Sequence, residues 1–277
     1  MEVVKTIEAL RAARANLPEP VGFVPTMGFL HAGHLSLVQA ARQECASVVA
    51  SIYVNPAQFG PQEDLAKYPR DLPRDLALLE AEGVDLVWTP DDLIMYPPGY
   101  QTWINVEEVT QMLEGARRPG HFRGVATVVA KLFNGVLPQK AYFGQKDAQQ
   151  VAVLKRMTAD LNFPIDIVVC PIVREPDGLA LSSRNVYLDP SQRQAATVLN
   201  RALSAAEDAY AHGERNADRL RGEMLTVFAS EPLAEVQYIS CADPATLEEL
   251  HGDIRRALLS VAVYVGKTRL IDNRVLD

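Results

Sequence analysis

The segment "PTMGFLHAGH" (25–34) sets His31 and His34 three residues apart with Gly33 between them, after an apolar run and before a stretch of helical spacing. Gly28 and Gly33 lack a Cβ, so the backbone there can take positive φ and approach a ligand closely. A helix opening near His34 aims its N–H groups and positive dipole end at the same place. That combination makes an anion pocket, and imidazoles in it add donors for phosphate oxygens or for charge that develops during a reaction. Capping or packing is the plainer use of a single histidine; two with an intervening glycine at a strand-to-helix turn favour phosphate. Zinc is the other use of a histidine pair, but H-E-x-x-H sets the histidines four apart, and no third ligand stands out.

Three more segments carry side chains suited to the same chemistry. "GQKDAQQ" (144–150) holds Lys146 beside Asp147. The ammonium neutralises phosphate charge, and the carboxylate helps to hold a Mg²⁺ that keeps its waters and bridges phosphate oxygens. On residue type alone, helix N-capping is the commoner role for Asp147. "SSRN" (182–185) adds the hydroxyls of Ser182 and Ser183 and the fork of Arg184. No G-x-S-x-G surrounds the serines, so neither is read as a nucleophile. Gln58, in "NPAQFG" (55–60), and Gln150 are neutral amides that donate and accept, which suits a small polar hydroxy acid bearing no phosphate. "GKT" (266–268) looks like the tail of a P-loop, but Val261 stands where the first glycine is required.

These segments need elements to position them. Apolar runs at 21–25, 47–54, 84–90, 140–144 and 165–170 alternate with stretches of three-and-four spacing at 34–46, 72–83 and 147–161. Parallel strands require crossover connections, so the alternation predicts a doubly wound, Rossmann-like parallel sheet over residues 1–175. In such a sheet ligands lie beyond the carboxyl ends of strands, where all four segments fall, and they are expected to converge. Residues 176–189 have no period and are expected to be a hinge and mobile active-site loop. Helical stretches at 191–212 and 216–229, "EVQYISC", a short helix near 244–251 and "RALLSVAVYVGKTRLID" predict a smaller α+β domain over 190–277. The first twenty residues show helical spacing and lack the apolar core of a signal peptide.

The formal charge of -8 excludes a general basic field for nucleic acid, so cations for an anionic ligand must be local. No apolar run is long enough for a bilayer, so no membrane partner is expected. Three cysteines, far apart and in no C-x-x-C arrangement, argue against a disulfide framework and for a cytoplasmic setting.

The ordered set "PTMGFLHAGH", "NPAQFG", "YPRDLPRDL", "HFRGVATVVAKLF", "YFGQKDAQQ" and "VREPDGLALSSRN", extended by "TRLIDN", resembles the pantothenate synthetases (pantoate–β-alanine ligases), within the nucleotidyltransferases of H-x-G-H signature. H-x-G-H alone is weakly specific; six segments in order are strongly so. The resemblance implies that pantoate is activated by ATP as pantoyl adenylate and then captured by β-alanine, with Mg²⁺ as cofactor and a homodimer as the assembly. It implies that His31, His34, Lys146, Ser182, Ser183 and Arg184 are catalytic. Pro25, Thr26, Met27, Gly28, Gly33 and Gly144 join them at ATP, with Asp147, Val173 and Leu181. Met27, Gln58 and Gln150 hold pantoate, Asn55 supports the site, and Asp147 is the metal residue. Phe29, Gln145 and Leu181 depart from frequent family spellings, and Gln145 in place of Glu removes a carboxylate beside Asp147. Two rival functions stand against this one: nucleotidyl transfer to a phosphorylated acceptor, which needs cations where Gln58 and Gln150 stand, and non-catalytic nucleotide binding.

Overall fold

A computed structural model describes every residue except 61, 62 and 64. The chain forms two compact units, Met1–Gly144 with Val153–Pro171, and Gln145–Ala152 with Ile172–Asp277. The alternation of runs predicts one domain to about 175; residues 145–152 cluster instead with the second unit.

The first unit is built on six strands: β1 (Glu2–Val4), β2 (Val21–Thr26), β3 (Ser47–Ile52), β4 (Leu86–Trp88), β5 (Lys140–Gly144) and β6 (Asp166–Cys170). All pair in parallel, in the order β1-β4-β3-β2-β5-β6. The order reverses between β2 and β5, which makes their carboxyl ends the ligand crevice of an open α/β sheet. Helices α1 (Ile7–Arg14), α2 (Ala32–Glu44), α3 (Leu72–Ala81), α4 (Asp92–Met95), α5 (Leu113–Arg117) and α6 (His121–Val136) follow in sequence, and α7 (Ala148–Asp160) runs from the second unit into the first.

Strand side chains alternate between two covered faces, which is why these strands read as continuous apolar runs. Val24, Val48, Ala50, Val87 and Tyr142 pack with Val38 and Ala41 of α2 and Leu79 of α3. On the other face the Phe133 ring of α6 meets Phe23 and Phe143 edge-on at 6.4 and 6.5 Å. Helix α6 buries twelve of its 16 residues and keeps only a narrow polar edge, Arg123, Lys131 and Asn134, at helical spacing. The helical spacing of the first twenty residues corresponds to α1, while Glu2–Val4 is an edge strand paired with Leu86–Trp88. Three residues carry too little pattern to reveal a strand that only its partner stabilises.

The second unit contains an antiparallel sheet, β7 (Ala234–Ala242), β8 (Ala257–Val265) and β9 (Thr268–Leu276), with α8 (Pro190–Ala195), α9 (Val198–Ala211) and α10 (Ala217–Phe228). Its core joins Leu199, Leu203, Leu220 and Met224 to Leu259, Val261 and Val263. The expected helix at 191–212 breaks at Ala196–Thr197, where the Thr197 hydroxyl donates to the Gln194 carbonyl at 2.8 Å. No helix forms at 244–251: the Asp243 carboxylate accepts from Ala245 and Thr246 N–H at 2.8 and 2.9 Å and turns the chain. "GKT" is a hairpin, with Gly266 at φ 60° between paired Val265 and Thr268. No helix among the described residues is long and apolar enough to cross a membrane.

Gly124 marks the tightest approach of α6 to the turn after β3. A Cβ there would lie 2.2 Å from the Ala57 carbonyl oxygen and 2.7 Å from Gln58 N, both rigid backbone. Gly124→Ala is therefore expected to cost about 1–3 kcal/mol, as overpacking does. Urea unfolding measures it, and a midpoint equal to the parent's would contradict the close packing described.

Candidate active site

The turn after β2 is where the two histidines meet. Helix α2 begins earlier than its spacing predicts, at Ala32, with His31 as its N-cap and His34 in its first turn. Gly33 N–H donates to His31 Nδ1 at 3.1 Å, and His31 N–H donates to His34 Nδ1 at 3.3 Å. This is a reciprocal capping box with imidazoles in place of the usual hydroxyl and carboxamide. Because each Nδ1 accepts from a backbone donor, each neutral ring carries its proton on Nε2, the distal nitrogen. Capping and phosphate binding are then compatible roles for different atoms of one ring. The ring centroids lie 4.1 Å apart.

The rest of the turn is held from the side. Gly28 and Phe29 both have positive φ, 79° and 51°. For Phe29 that conformation costs about 1–2 kcal/mol. Asp75, on α3 and 1% exposed, accepts from Phe29 N–H at 2.7 Å and Leu30 N–H at 2.8 Å. The Thr26 hydroxyl donates to the Ser51 carbonyl at 2.8 Å and accepts from Gly28 N–H at 3.2 Å, so it shapes the same turn. Pro25 precedes it within β2.

The turn after β3 adjoins it. Asn55 is buried; its Nδ2 donates to Gln58 Oε1 at 3.0 Å and the Gly124 carbonyl at 3.2 Å. Its Oδ1 accepts from Tyr96 Oη at 2.8 Å and Ala57 N at 3.3 Å. Gln58 Nε2 approaches Met27 Sδ at 2.9 Å, which joins the two turns. His121, at the start of α6, lies beneath: its Nδ1 is 2.8 Å from the Gln58 carbonyl, and its Nε2 is 3.0 Å from Arg118 Nη1. A carbonyl only accepts and a guanidinium only donates, so the ring is neutral with its proton on Nδ1. Burial, then the Arg118 charge, push its pKa down to about 4. Arg118 is itself gripped by Glu63 through two contacts of 2.7 Å.

Gly144 of β5, in the first unit, leads directly into a tight turn of the second, Gln145–Asp147, that opens α7. Lys146 Nζ stands 3.8 Å from Asp147 Oδ1, whose carboxylate is half exposed, and Gln150 lies one helical turn further on. Asn273 of β9 clasps this turn: its Nδ2 donates to the carbonyls of Gln145 and Lys146, both at 2.9 Å, and its Oδ1 accepts from Gln145 Nε2 at 3.0 Å. The neighbouring Asp272 takes Arg174 at 2.6 and 2.9 Å. Arg174 lies in a hairpin closed by Leu181 N–H to Val173 O at 3.0 Å. A Cβ at Gly178 in that hairpin would meet Asn200 Nδ2 at 2.2 Å. Residues 176–189 are thus not without regular structure: the hairpin passes into a 3₁₀ turn, Ser183–Tyr187, that Ser182 caps through Arg184 N–H at 3.3 Å.

Sequence pattern assigns no role to Asp75, Asn273, Asp272, Tyr96 or His121. Asp272 and Asn273 leave one signal, an acidic and amide pair interrupting an apolar strand. Among the described residues no cluster of three or more His, Cys, Asp or Glu forms a metal cage.

The family model described as Pantoate-beta-alanine ligase matches residues 2–275. The chain belongs to the pantoate-beta-alanine ligase family. Among relatives of this family, a pantothenate synthetase of Roseiflexus sp. (strain RS-1) is 63% identical over 277 residues, all of both chains. One of Herpetosiphon aurantiacus is 61% identical over the same length. The crystal structure of pantothenate synthetase from Thermus thermophilus superposes with a TM-score of 0.94 at 50% identity, over 99% of each chain. Pantoate-beta-alanine ligase from Francisella tularensis, complexed with beta-gamma ATP and beta-alanine, gives 0.82 at 36% identity over 99% and 97%.

His121 gives the family fold here a pH dependence of definite sign. Its pKa falls from 6.5 to about 4 on folding, so the unfolded chain binds more protons between those values. The stability tied to the neutral ring is present above about 6.5 and is lost as pH falls toward 4. His121→Gln should be less stable than the parent at about pH 7, with the gap narrowing by about pH 4.5 in urea titrations. A constant gap would contradict the assignment.

Proposed function

We propose that this chain is an ATP-dependent ligase that condenses (R)-pantoate with β-alanine to pantothenate, releasing AMP and pyrophosphate. Family membership supports the reaction. The observation that carries it at the level of atoms is the reciprocal cap of His31 and His34 at the point where strand order reverses, which fixes both rings as Nε2 donors.

In this reading a pantoate carboxylate oxygen attacks the α-phosphorus and the bond to pyrophosphate breaks. His31 and His34 donate to phosphate oxygens as charge builds on the leaving group, and Lys146 adds a full positive charge. Ser182, Ser183 and Arg184 supply further phosphate donors. The amine of β-alanine then attacks the acyl carbon, loses a proton, and AMP departs. No side chain forms a covalent intermediate, so catalysis is positioning and electrostatics. Met27, Gln58 and Gln150 hold pantoate, whose hydroxyls need amides rather than cations. A magnesium ion fits Asp147 because an ion riding on phosphates and keeping its waters needs only one or two carboxylates; when bound it neutralises phosphate charge. Pro25, Gly28, Gly33, Gly144, Val173 and Leu181 offer backbone and apolar contacts to the nucleotide. A reducing, cytoplasmic setting, which the three buried thiols support, and a homodimer are part of the same reading.

The deciding experiment is whether AMP forms from ATP only with pantoate and β-alanine together, while pyrophosphate exchange into ATP needs pantoate alone. AMP formation without pantoate would overturn the proposal. His34→Ala should slow exchange by roughly 100- to 1,000-fold, the loss usual for one preorganised donor. Conversion of preformed pantoyl adenylate should stay near the parent's rate. His34→Glu keeps an acceptor for His31 N–H but has no donor, and so separates the cap from the donor: thermal stability recovers and exchange does not. Gln58→Leu should weaken pantoate use by roughly 1–3 kcal/mol with ATP affinity intact, as calorimetry can read.

A further inference from the structure

The backbone between β2 and α2 takes two successive left-handed conformations, at Gly28 and Phe29. Glycine adopts one readily, and phenylalanine does not. A Cβ at Gly28 would lie 3.0 Å from Asp75 Oδ2 and 3.1 Å from Ile52 Cγ2, so the turn is pressed against both. The Asp75 carboxylate directs one oxygen to Phe29 N–H and the other to Leu30 N–H. Its place is set by α3, whose first turn is capped by Asp71 through Arg74 N–H at 3.2 Å. Arg74 lies 3.7 Å from Asp75 Oδ1 and 5.5 Å over the Phe29 ring, bracing both partners.

We infer that Asp75 is a positioning residue of the phosphate-binding turn: its buried carboxylate holds the left-handed backbone of Gly28–Leu30 and thereby aims the two imidazoles that follow. The inference rests on the proposal that His31 and His34 receive the triphosphate. A carboxylate near an anion site works against anion binding through like charge. An asparagine of the same shape removes that charge but replaces one of the two oxygens by an NH2 donor, so one of the two N–H groups would face a donor. The geometry therefore requires the acid in spite of its charge.

The test uses Asp75→Asn in the full chain, with rates expressed per folded molecule from a stability curve. Pantoate-dependent pyrophosphate exchange should fall by about 10- to 100-fold, the effect of misplacing a catalytic group by about an ångström. The ATP KM should be unchanged or lower, and conversion of preformed pantoyl adenylate should hold. Adding Phe29→Gly should recover part of the exchange rate, because glycine takes the left-handed conformation without support. A purely structural role predicts the same loss in both half-reactions, and that result overturns the inference. If Asp75→Asn does not fold, Asp75→Glu keeps both acceptors while displacing the turn, and the same split between half-reactions is required of it. Exchange present in the parent and unchanged in the folded variant overturns the inference alone. Exchange absent in the parent overturns the ligase proposal and the inference with it.

Discussion

Backbone groups that no ladder can satisfy are the constraint on which the candidate site depends. Where a strand ends and the chain turns toward a ligand, its N–H and C=O groups leave the sheet while still shielded from water, and each must find a partner. In both units a buried polar side chain supplies it, from a distant part of the same unit at Asp75 and Asn273 and from within the turn at Asn55. Asp75 takes two N–H groups of the His31 turn, Asn55 takes a carbonyl and an N–H around the Gln58 turn, and Asn273 takes two carbonyls of the Lys146 turn. A buried group left unpaired costs about 1–3 kcal/mol, so these anchors fix the turns more firmly than propensity does.

Anchoring of this kind also separates what a side chain does for the fold from what it offers a ligand. The histidines cap with Nδ1, and on the proposed reading Nε2 serves the phosphates. Lys146 is held by its carbonyl while its ammonium stays beside Asp147. Thr26, by contrast, uses its hydroxyl within the fold. Gln145 stands in the same light: its amide donates to Asn273, closing a ring of three hydrogen bonds around the turn. A glutamate there lacks the donor that Asn273 Oδ1 receives, so the amide that departs from the usual spelling has a local structural use.

The inner strands β2 to β5 were legible because parallel strands buried on both faces leave unbroken apolar runs, and the histidine turn because glycine and imidazole at such a spacing have few other uses. Other parts were not. Strand β1 exists only through β4. The turn at Asp243 imitates a helix start in sequence because an aspartate two and three residues ahead of amide donors serves either structure. Asp75 and Asn273 act across 45 and 128 residues, and no local pattern marks a partner at that range.

The orientation of the Gln58 amide follows from backbone atoms that allow no choice. The Gly124 carbonyl can only accept, so Asn55 Nδ2 faces it; Ala57 N can only donate, so Asn55 Oδ1 faces that. With Nδ2 fixed, the Gln58 atom beside it must be Oε1, and Nε2 is turned toward Met27. Tyr96 then has to donate to Asn55 Oδ1, and burial raises its pKa so that the proton stays on. Gln58 is thereby committed as a donor before any substrate arrives. On the proposed reading the amide offers N–H groups to pantoate oxygens and holds no charge that would compete with the carboxylate's attack on phosphorus. An unanchored glutamine would lose part of its binding free energy in choosing that orientation.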